Sequence, residues 1–436
     1  MNSLAQFKTD IQAERVVTLT SLGTFIHWFD FYVLLFLLPV IFENHIHFGL
    51  LSGLTLSLIA LLIGFIVRPL AAFYFGAEID KHGRKNYFTL SLSISALSTL
   101  TSALFPYSIT PPLVGLIVLL FCRTLQGVAL SIEYGSALCY ISEFVPSQKN
   151  GYLTSIIQAT AVCAMLFALI VLFSFEQLFG SIAFNEWGWR IPLMLGLPLI
   201  WIAKQIRTQL PESTQFVELK KNNKILLHPL KELFQKKQHL MNLCSSAFGV
   251  TAPQGVIFYF THFYFYQLLN NALHLGKTTS SFILISAMLI GWPFIIISGR
   301  LSDLFTSRKV LLYSFMASIA IISMTSFEFQ QFDASQSKLT LFLFLLASLI
   351  CSYFVYGSTG AFLTEKFPVE VRGSGISISY HVGNGFFGGF IVVIGEMSAA
   401  QLSSIPMITI LTVSVIALGL IIFFVTNKVT NTQDSL

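Results

Sequence analysis

The stretch GAEIDKHGRK at residues 76–85 is the clearest guide to the architecture, because it ends a long apolar segment and recurs in the second half of the chain. Its counterpart is GRLSDLFTSRK at residues 299–309, which also ends a long apolar segment. A glycine, an acid and a base repeat at a constant offset of 223 residues, in the pairs Gly76 and Gly299, Asp80 and Asp303, and Lys85 and Arg308.

A second pair of matching stretches lies at nearly the same offset. Residues 143–151 read EFVPSQKNG and residues 365–373 read EKFPVEVRG, so the pattern E-x-x-P-x-x-x-x-G repeats after 222 residues. Two independent matches indicate two similar halves. Repeated halves are typical of secondary transporters, whose substrate site lies near the middle of the membrane.

The chain around these loops consists of apolar runs, each near the ~20 residues that a helix needs to cross a bilayer. The runs lack the alternation of barrel strands, and backbone groups in lipid must be satisfied within each segment. The sequence therefore predicts an all-α membrane protein with twelve transmembrane helices in two pseudo-symmetric six-helix bundles. The runs fall at about 16–42, 49–77, 87–106, 112–142, 152–178, 189–209, 240–269, 279–299, 309–327, 338–364, 373–396 and 404–426.

Composition agrees with a membrane location. Of the 436 residues, 55% are hydrophobic and 10% are charged, whereas a soluble chain carries about 25% charged residues. A soluble protein with so few charges lacks the polar groups to cover its surface. The five cysteines are scattered and form no C-x-x-C pair, so we expect neither a disulfide framework nor a zinc site. We also expect no other metal and no cofactor.

The basic residues predict the orientation. If both termini lie on one side, that side holds 20 of the 25 lysines and arginines, which places both termini in the cytoplasm. The expected location is the bacterial inner membrane. The net charge of +5 then reflects topology, and we expect no nucleic-acid partner. The 20 are Lys8, Arg15, Lys81, Arg84, Lys85, Lys149, Lys204, Arg207, Lys220, Lys221, Lys224, Lys231, Lys236, Lys237, Arg300, Arg308, Lys309, Lys366, Arg372 and Lys428.

Five segments follow from the spans and the one long polar stretch. We expect a cytoplasmic N-terminal tail and C-terminal tail, two six-helix bundles and a cytoplasmic linker with a short interfacial helix around residues 226–238. The segments are 1–15 for the N-terminal tail, 16–209 and 240–426 for the bundles, 210–239 for the linker and 427–436 for the C-terminal tail.

Several motifs resemble the metabolite:proton symporter branch of the major facilitator superfamily. They are the loop at 76–85, GTFIHWFDFY at 23–32, RP at 68–69, RTLQG at 123–127, EYG at 133–135, WGWRIP at 187–192 and LPESTQF at 210–216. The resemblance implies two bundles that rock around a central cavity and the uptake of a small metabolite with a proton. Members of this branch carry proline and betaine, or organic acids such as 2-oxoglutarate, citrate and shikimate.

The chain departs from that pattern at four places. It has His27 where the family usually has an acid, and Ser131-Ile132 where the family usually has two glycines. It has Asn150 in place of an arginine, and Thr306 in place of the second-half loop glycine.

Two charges inside spans are candidates for proton coupling, because a charge near the bilayer centre is costly. Asp30 lies in the first span and Arg123 in the fourth, and the resemblance suggests that they face each other. We expect Asp30 to carry the proton and to release it when it pairs with Arg123; a static buried pair is the alternative. His27 lies on the same helical face as Asp30 and either shares the proton or is a satisfied cavity histidine.

Arg68 and Glu133 have two interpretations. Arg68 either pairs with Glu133 and holds the first bundle together, or it binds a substrate carboxylate with its guanidinium fork. The further candidates for the substrate cavity are Tyr32, Gln126, Tyr134, Tyr259 and His381.

The repeated loops predict a cytoplasmic gate, in which acids and bases latch neighbouring helices and separate when the cytoplasmic side opens. The alternative is that these basic residues only follow the general excess of lysine and arginine in cytoplasmic loops and have no part in a gate. Gly76 and Gly299 would let helices approach closely. The candidates are Gly76, Asp80, Arg84, Lys85, Glu143, Gly299, Asp303, Arg308, Glu365 and Arg372.

The sequence thus predicts a secondary transporter that imports a small organic acid with a proton, by alternating access. A proline or betaine symporter is the close alternative, and a transporter-like solute sensor is a third. We expect no enzyme, because the chain has no H-E-x-x-H, G-x-S-x-G or phosphate-loop motif. The expected partners are the substrate, the proton and the lipid bilayer, and we expect a monomer.

Overall fold

The structure is a computed structural model that describes residues 2–46, 52–144, 146–331, 337–398 and 405–433. Within these ranges the chain forms long helices and no β-strand. We number twelve of them α1 (Asn2–Asn44), α2 (Gly53–His82), α3 (Arg84–Leu104), α4 (Pro112–Phe144), α5 (Asn150–Ala183), α6 (Arg190–Gln209), α7 (Lys237–Asn270), α8 (Lys277–Phe305), α9 (Ser307–Gln330), α10 (Lys338–Lys366), α11 (Val369–Gly395) and α12 (Ile405–Gln433).

Eleven of these helices are long and apolar enough to cross a membrane. The one remaining helix of the twelve, α6, has 20 residues and carries Lys204 and Arg207 in its second half. All twelve predicted spans are therefore helical, and the fold is the twelve-helix one expected from the sequence. The predicted span ends at residues 49 and 404 lie outside the described ranges.

Helix packing repeats between the two halves, as the sequence repeat predicts. In the first half, α1 packs on α6, α2 on α4, and α3 on both α4 and α6. In the second half, α7 packs on α12, α8 on α10, and α9 on both α10 and α12. Each pair in the second half is the first-half pair shifted by six helices, so similar sequences produce the same packing.

Contacts divide the chain into two compact units. One consists of Met1–Val145 and Thr160–Leu226, and the other of Pro146–Ala159 and Leu227–Leu436. The start of α5 thus packs with the second-half helices, while the rest of α5 belongs to the first unit. The linker contains two short helices, Thr214–Lys221 and Pro229–Gln235. The second is shorter than the interfacial helix predicted over 226–238.

The loops that follow α2 and α8 turn at equivalent residues. Gly83 has φ 103° and ψ 164°, and Thr306, which lies 223 residues later, has φ 92° and ψ 139°. A positive φ of this size is easy for glycine and strained for a β-branched residue. The second loop therefore keeps the backbone of the first even though the glycine has been replaced.

Candidate functional site

Helix α3 has a stripe of polar side chains on the face that is buried inside the first unit. Its hydroxyl residues recur every three or four positions, which places them on one helical face. The five hydroxyl residues of this stripe are buried, although the same helix also carries exposed leucines. The stripe consists of Ser91, Ser95, Ser98, Thr99 and Ser102.

Asp30 of α1 lies against this stripe. Its side chain is fully buried, and its two carboxylate oxygens accept hydrogen bonds from Ser95 (2.6 Å) and from Thr99. On the α6 side, a Cβ added at Gly196 would lie 3.3 Å from Asp30 Oδ1. Asp30 is therefore enclosed by helices of its own unit and does not face lipid.

Arg123 of α4 is also fully buried in the first unit. Its Nη1 donates a hydrogen bond of 2.6 Å to Gln126 Oε1, and its guanidinium carbon lies 5.0 Å from the centre of the Phe31 ring. Gly64 leaves space for it, because a Cβ there would lie 3.2 Å from Arg123 Nη2. Arg123 is near enough to act electrostatically on Asp30. The two charges are thus close inside one unit, and their role in proton coupling stays a prediction.

Glu133 of α4 forms a two-pronged ion pair with Arg207 of α6. The distances are 2.6 Å and 2.8 Å, and both side chains are fully buried. Thr24 and Ser91 each donate a further hydrogen bond of 2.9 Å to the Glu133 carboxylate. Arg207 also lies over the Phe88 ring at 3.4 Å. Arg207, which the sequence counts among the basic residues of the cytoplasmic side, is thus fully buried, and its guanidinium neutralises a buried acid.

This pair changes the interpretation of two predicted residues. Arg207 occupies both oxygens of Glu133, so the structure contradicts the first of the two interpretations of Arg68, in which it pairs with Glu133. The second interpretation, a substrate carboxylate, stays a prediction. His27 lies beside the same cluster, with its Nδ1 3.9 Å from Glu133 Oε2. That nitrogen is buried without a hydrogen-bond partner in the described part of the chain. Its predicted part in proton transfer stays a prediction.

Arg68 of α2 is the most unusual charge in the first unit. It is fully buried, and none of its three guanidinium nitrogens has a hydrogen-bond partner among the residues that the structure describes. Its guanidinium carbon lies 4.3 Å from the centre of the Phe65 ring and 4.7 Å from that of Phe31. A buried cation without an anion is costly, and contacts with two aromatic faces offset that cost only in part.

The other predicted cavity residues are all buried. In the first unit, Tyr32 stacks on Trp28 at 5.5 Å and Gln126 accepts the bond from Arg123; Tyr134 is 2% exposed. In the second unit, Tyr259 and His381 are 2% and 0% exposed. Their role in substrate binding stays a prediction.

The predicted gate residues of the first unit form a charge cluster where α2, α3 and α4 meet. Arg84 donates to Glu143 Oε1 from Nε (3.2 Å) and Nη2 (2.9 Å), and Asp80 lies 3.7 Å from Arg84. Glu212, just after α6, accepts hydrogen bonds from the backbone N–H groups of Arg84 and Lys85 at 3.0 to 3.3 Å. Glu212 thus satisfies the first amides of α3 and ties the linker to this cluster.

In the second unit, Asp303 accepts hydrogen bonds from backbone N–H groups at the start of α5. Its carboxylate accepts hydrogen bonds from the backbone N–H groups of Gly151 (2.6 Å) and Tyr152 (2.8 Å). The two backbones are very close, since a Cβ added at Gly299 would lie 2.5 Å from the carbonyl oxygen of Gly151. The predicted close approach at Gly299 therefore exists, between α8 and α5. Gly76, its counterpart in the first half, is buried.

The remaining gate residues show how the repeat has diverged. Glu365 accepts a hydrogen bond of 2.6 Å from Ser307, which stands where the 223-residue offset places Arg84. Arg308 acts electrostatically on Glu365, and Arg372 donates to a backbone carbonyl at 3.2 Å. Where the first half has the buried ion pair of Arg84 and Glu143, the second half thus has a neutral donor, Ser307, on the equivalent acid Glu365.

Sequence reasoning missed Arg207, Ser95, Thr99 and Glu212. The hydroxyls had a visible signal, because their three- and four-residue spacing marks one face of α3. Arg207 had none, since an arginine at the end of an apolar run looks like positive-inside charge. Glu212 lies in the quoted 210–216 motif, but its backbone partners are invisible to a side-chain pattern.

These features define an integral membrane protein with two similar helical units and a set of buried charges, which is the construction of a secondary transporter. No group of histidines, cysteines and acids suited to a metal ion occurs in the described ranges. The family model for the Major Facilitator Superfamily matches residues 20–393, and the chain belongs to that superfamily.

Several characterised proteins resemble the chain over most of its length. The alpha-ketoglutarate permease of Escherichia coli is 30% identical, over 89% of this chain and 87% of the relative. The citrate-proton symporter of Klebsiella pneumoniae is 27% identical, over 85% and 82%. A proline/betaine transporter of Salmonella typhimurium is 27% identical, over 86% and 75%. Among solved structures, the proton:xylose symporter XylE matches with a TM-score of 0.71 at 14% identity, over 95% of each chain, which supports the fold.

Proposed function

We propose that this transporter imports a small organic acid together with a proton. The observation that carries the proposal is Arg68, a fully buried guanidinium whose nitrogens lack hydrogen-bond partners in the described residues. The acid that could have neutralised it, Glu133, is already neutralised by Arg207. The anion that completes Arg68 is then the substrate.

A carboxylate fits this position. Guanidinium presents parallel N–H donors in a rigid fork that matches the two oxygens of a carboxylate, and buried charge-assisted hydrogen bonds are strong. The rings of Phe31 and Phe65 hold the guanidinium without using its N–H groups. Arg68 is therefore fixed in place while its donors remain available.

Proton coupling is assigned to Asp30 and Arg123. An ionised Asp30 attracts Arg123 electrostatically, whereas a protonated Asp30 is neutral and no longer does so. Proton binding and substrate binding then favour the same state of the transporter, which is the requirement for symport. The names of two relatives, a citrate-proton symporter and an alpha-ketoglutarate permease, agree with an organic acid substrate.

A compatible-solute symporter is the second candidate. A relative of similar identity is a proline/betaine transporter, and proline and betaine also carry one carboxylate that Arg68 could bind. We further propose, from the lysine and arginine distribution, that both termini lie in the cytoplasm. The monomeric state stays a prediction.

Uptake into proteoliposomes under an imposed pH gradient, acidic outside, tests the proposal. The labelled substrates would be 2-oxoglutarate, citrate, succinate, shikimate, proline and betaine. We expect at least one organic acid to accumulate, and we expect this accumulation to be lost when a protonophore is added. Arg68→Met should abolish it, and Arg68→Lys should restore little because an ammonium lacks the fork. Accumulation of proline or betaine alone would favour the second candidate, and uptake unaffected by Arg68→Met would contradict the assigned site.

A further inference from the structure

The second unit contains a buried pair of amides that the proposed function does not yet use. Asn384 of α11 donates a hydrogen bond of 2.9 Å from Nδ2 to Oε1 of Gln254 of α7. The two side chains are 3% and 1% exposed. The pair lies in the middle portion of both helices, far from either helix end.

Among the described residues, one polar atom of each amide has no hydrogen-bond partner. Gln254 Nε2 and Asn384 Oδ1 are buried and form no hydrogen bond within the described ranges. A buried polar atom without a partner costs about 1–3 kcal/mol, so such atoms are rare in folded proteins. Exchanging oxygen and nitrogen in both amides would reverse the shared bond but would still leave one N–H donor and one oxygen acceptor unpaired. The pair therefore retains one donor and one acceptor that no described residue satisfies.

The backbone holds the pair in place. A Cβ added at Gly255 would lie 2.6 Å from Asn384 Cα, so α7 and α11 are in direct backbone contact here. Asn384 belongs to the π-helical turn His381–Phe387, and Gln254 lies between the π-helical turns Ser245–Thr251 and Phe260–Tyr264. Such turns are concentrated at functional sites. A rigid frame around unsatisfied amides is the arrangement expected of a ligand contact.

We propose that Gln254 and Asn384 bind a hydroxyl group next to a carboxylate, so that the preferred substrates are hydroxylated organic acids. This inference rests on the proposed import of organic acids. The Gln254 amide would donate to a carboxylate oxygen, and the Asn384 oxygen would accept from the hydroxyl. Both unpaired atoms are then satisfied by one ligand.

Other ligand classes fit the pair less well. A keto acid supplies only acceptors next to its carboxylate and would leave the amide oxygen unpaired. Betaine has no donor at all. The ammonium of an amino acid would place a charge beside two neutral amides, and no carboxylate contacts the pair in the part of the chain that the structure describes.

Matched ligands that differ by one hydroxyl test the inference. Binding to the purified full-length protein would be measured by calorimetry for malate against succinate, and for citrate against tricarballylate. We expect the hydroxylated member of at least one pair to bind about tenfold more tightly or better, because a site built for a hydroxyl penalises its absence. Proline would be included as the amino-acid probe.

Variants show whether the amides are responsible. Asn384→Leu keeps the volume and removes the acceptor, so the two members of a pair should bind alike. Asn242→Leu is the matched control, because Asn242 is a buried asparagine of α7 that bonds the carbonyl oxygen of Lys366 at 2.8 Å. The control should keep the preference.

Three results would overturn the inference: equal binding of both members of each pair by the wild type, an unchanged preference in a folded Asn384→Leu, or tighter binding of proline than of any hydroxy acid. The wild-type comparison needs no variant, so a misfolded variant leaves the test intact. Binding is measured without a pH gradient. Failure of proton-driven uptake would therefore refute the proposed function without deciding this result.

Discussion

Two buried arginines of the first unit should respond in opposite ways to the same substitution. Arg207 is paired with Glu133, whereas Arg68 has no anion among the described residues. Arg207→Met removes the partner of a buried carboxylate. Arg68→Met removes a buried cation that no acid of the described ranges neutralises.

The expected magnitudes differ by several kcal/mol. Breaking a buried ion pair from one side costs about 3–5 kcal/mol, because the other charge stays buried. In Arg207→Met, Glu133 would lose its arginine and keep, among the described residues, the hydrogen bonds from Thr24 and Ser91 and the more distant His27. For Arg68, a desolvation penalty of several kcal/mol is set against two ring contacts of about 2 kcal/mol each, so the wild-type arginine brings little or no net stability. Arg68→Met should therefore be at least as stable as the wild type.

Thermal unfolding in one detergent, without substrate, measures this order. We expect the apparent Tm of Arg68→Met to equal or exceed that of the wild type, and that of Arg207→Met to fall well below both. Adding Glu133→Gln to Arg207→Met should recover much of the loss, since the pair is then replaced on both sides. Arg68→Met should in addition lose the stabilisation that a bound organic acid gives the wild type.

A marked loss of stability in Arg68→Met would refute this reasoning, because it would mean that Arg68 is neutralised within the protein. An Arg207→Met variant as stable as the wild type would equally contradict the assigned ion pair. Ligand stabilisation that persists in Arg68→Met would place the substrate anion elsewhere.

Further predictions concern the repeated loops and the Asp30 site. Thr306→Gly should raise the free energy of unfolding by about 1 kcal/mol, because glycine adopts the positive φ of this position without strain. Gly83→Thr should lower the free energy of unfolding by more than that, because it adds the same strain and a Cβ 2.5 Å from Glu212 Oε2. Unfolding temperatures measure both changes, and a shift of the same sign and size in the two variants would contradict this. Glu212→Ala should cost about 1 kcal/mol and Glu212→Gln less, because glutamine keeps an acceptor for the α3 amides; two equally stable variants would argue against this cap. Thr99→Val should slow proton-driven uptake, because Thr99 donates to Asp30. Thr101→Val is the control and should not slow it, because the half-buried Thr101 bonds its own helix, at the Leu97 carbonyl oxygen. Similar rates in both variants would remove Thr99 from the coupling site.

The helices and the repeat were predictable because they depend on local properties. Apolar length determines which segments can span a membrane, and the loop motifs at 76–85 and 299–309 recur at a fixed offset. The same reasoning placed Asp30, Arg68 and Arg123 inside the membrane, and the structure buries all three.

Pairing between charges was not predictable in the same way. Glu133 could meet any cation on a neighbouring helix, and the rotation of α6 selects Arg207. That rotation depends on packing along the whole helix, which no short motif records. The strained turn at Thr306 has a related cause, since the surrounding loop keeps a backbone that its own residue disfavours.

The amide pair of Gln254 and Asn384 shows a third limit. Each residue alone reads as a polar position in an apolar helix. Only the structure shows that they share one hydrogen bond and that one donor and one acceptor remain. The unsatisfied atoms are a property of the packed helices and have no counterpart in the sequence pattern.

Proton movement during uptake is the most direct test of the central claim that Asp30 carries a proton into the cell with an organic acid. Proteoliposomes would enclose a pH-sensitive dye, with equal pH on both sides and an outward potassium gradient with valinomycin to compensate charge. Adding the transported acid to the wild type should acidify the interior, whereas Asp30→Asn should take up the acid by exchange without acidification. Acidification that persists in Asp30→Asn, or wild-type uptake with no change of internal pH, would contradict the account.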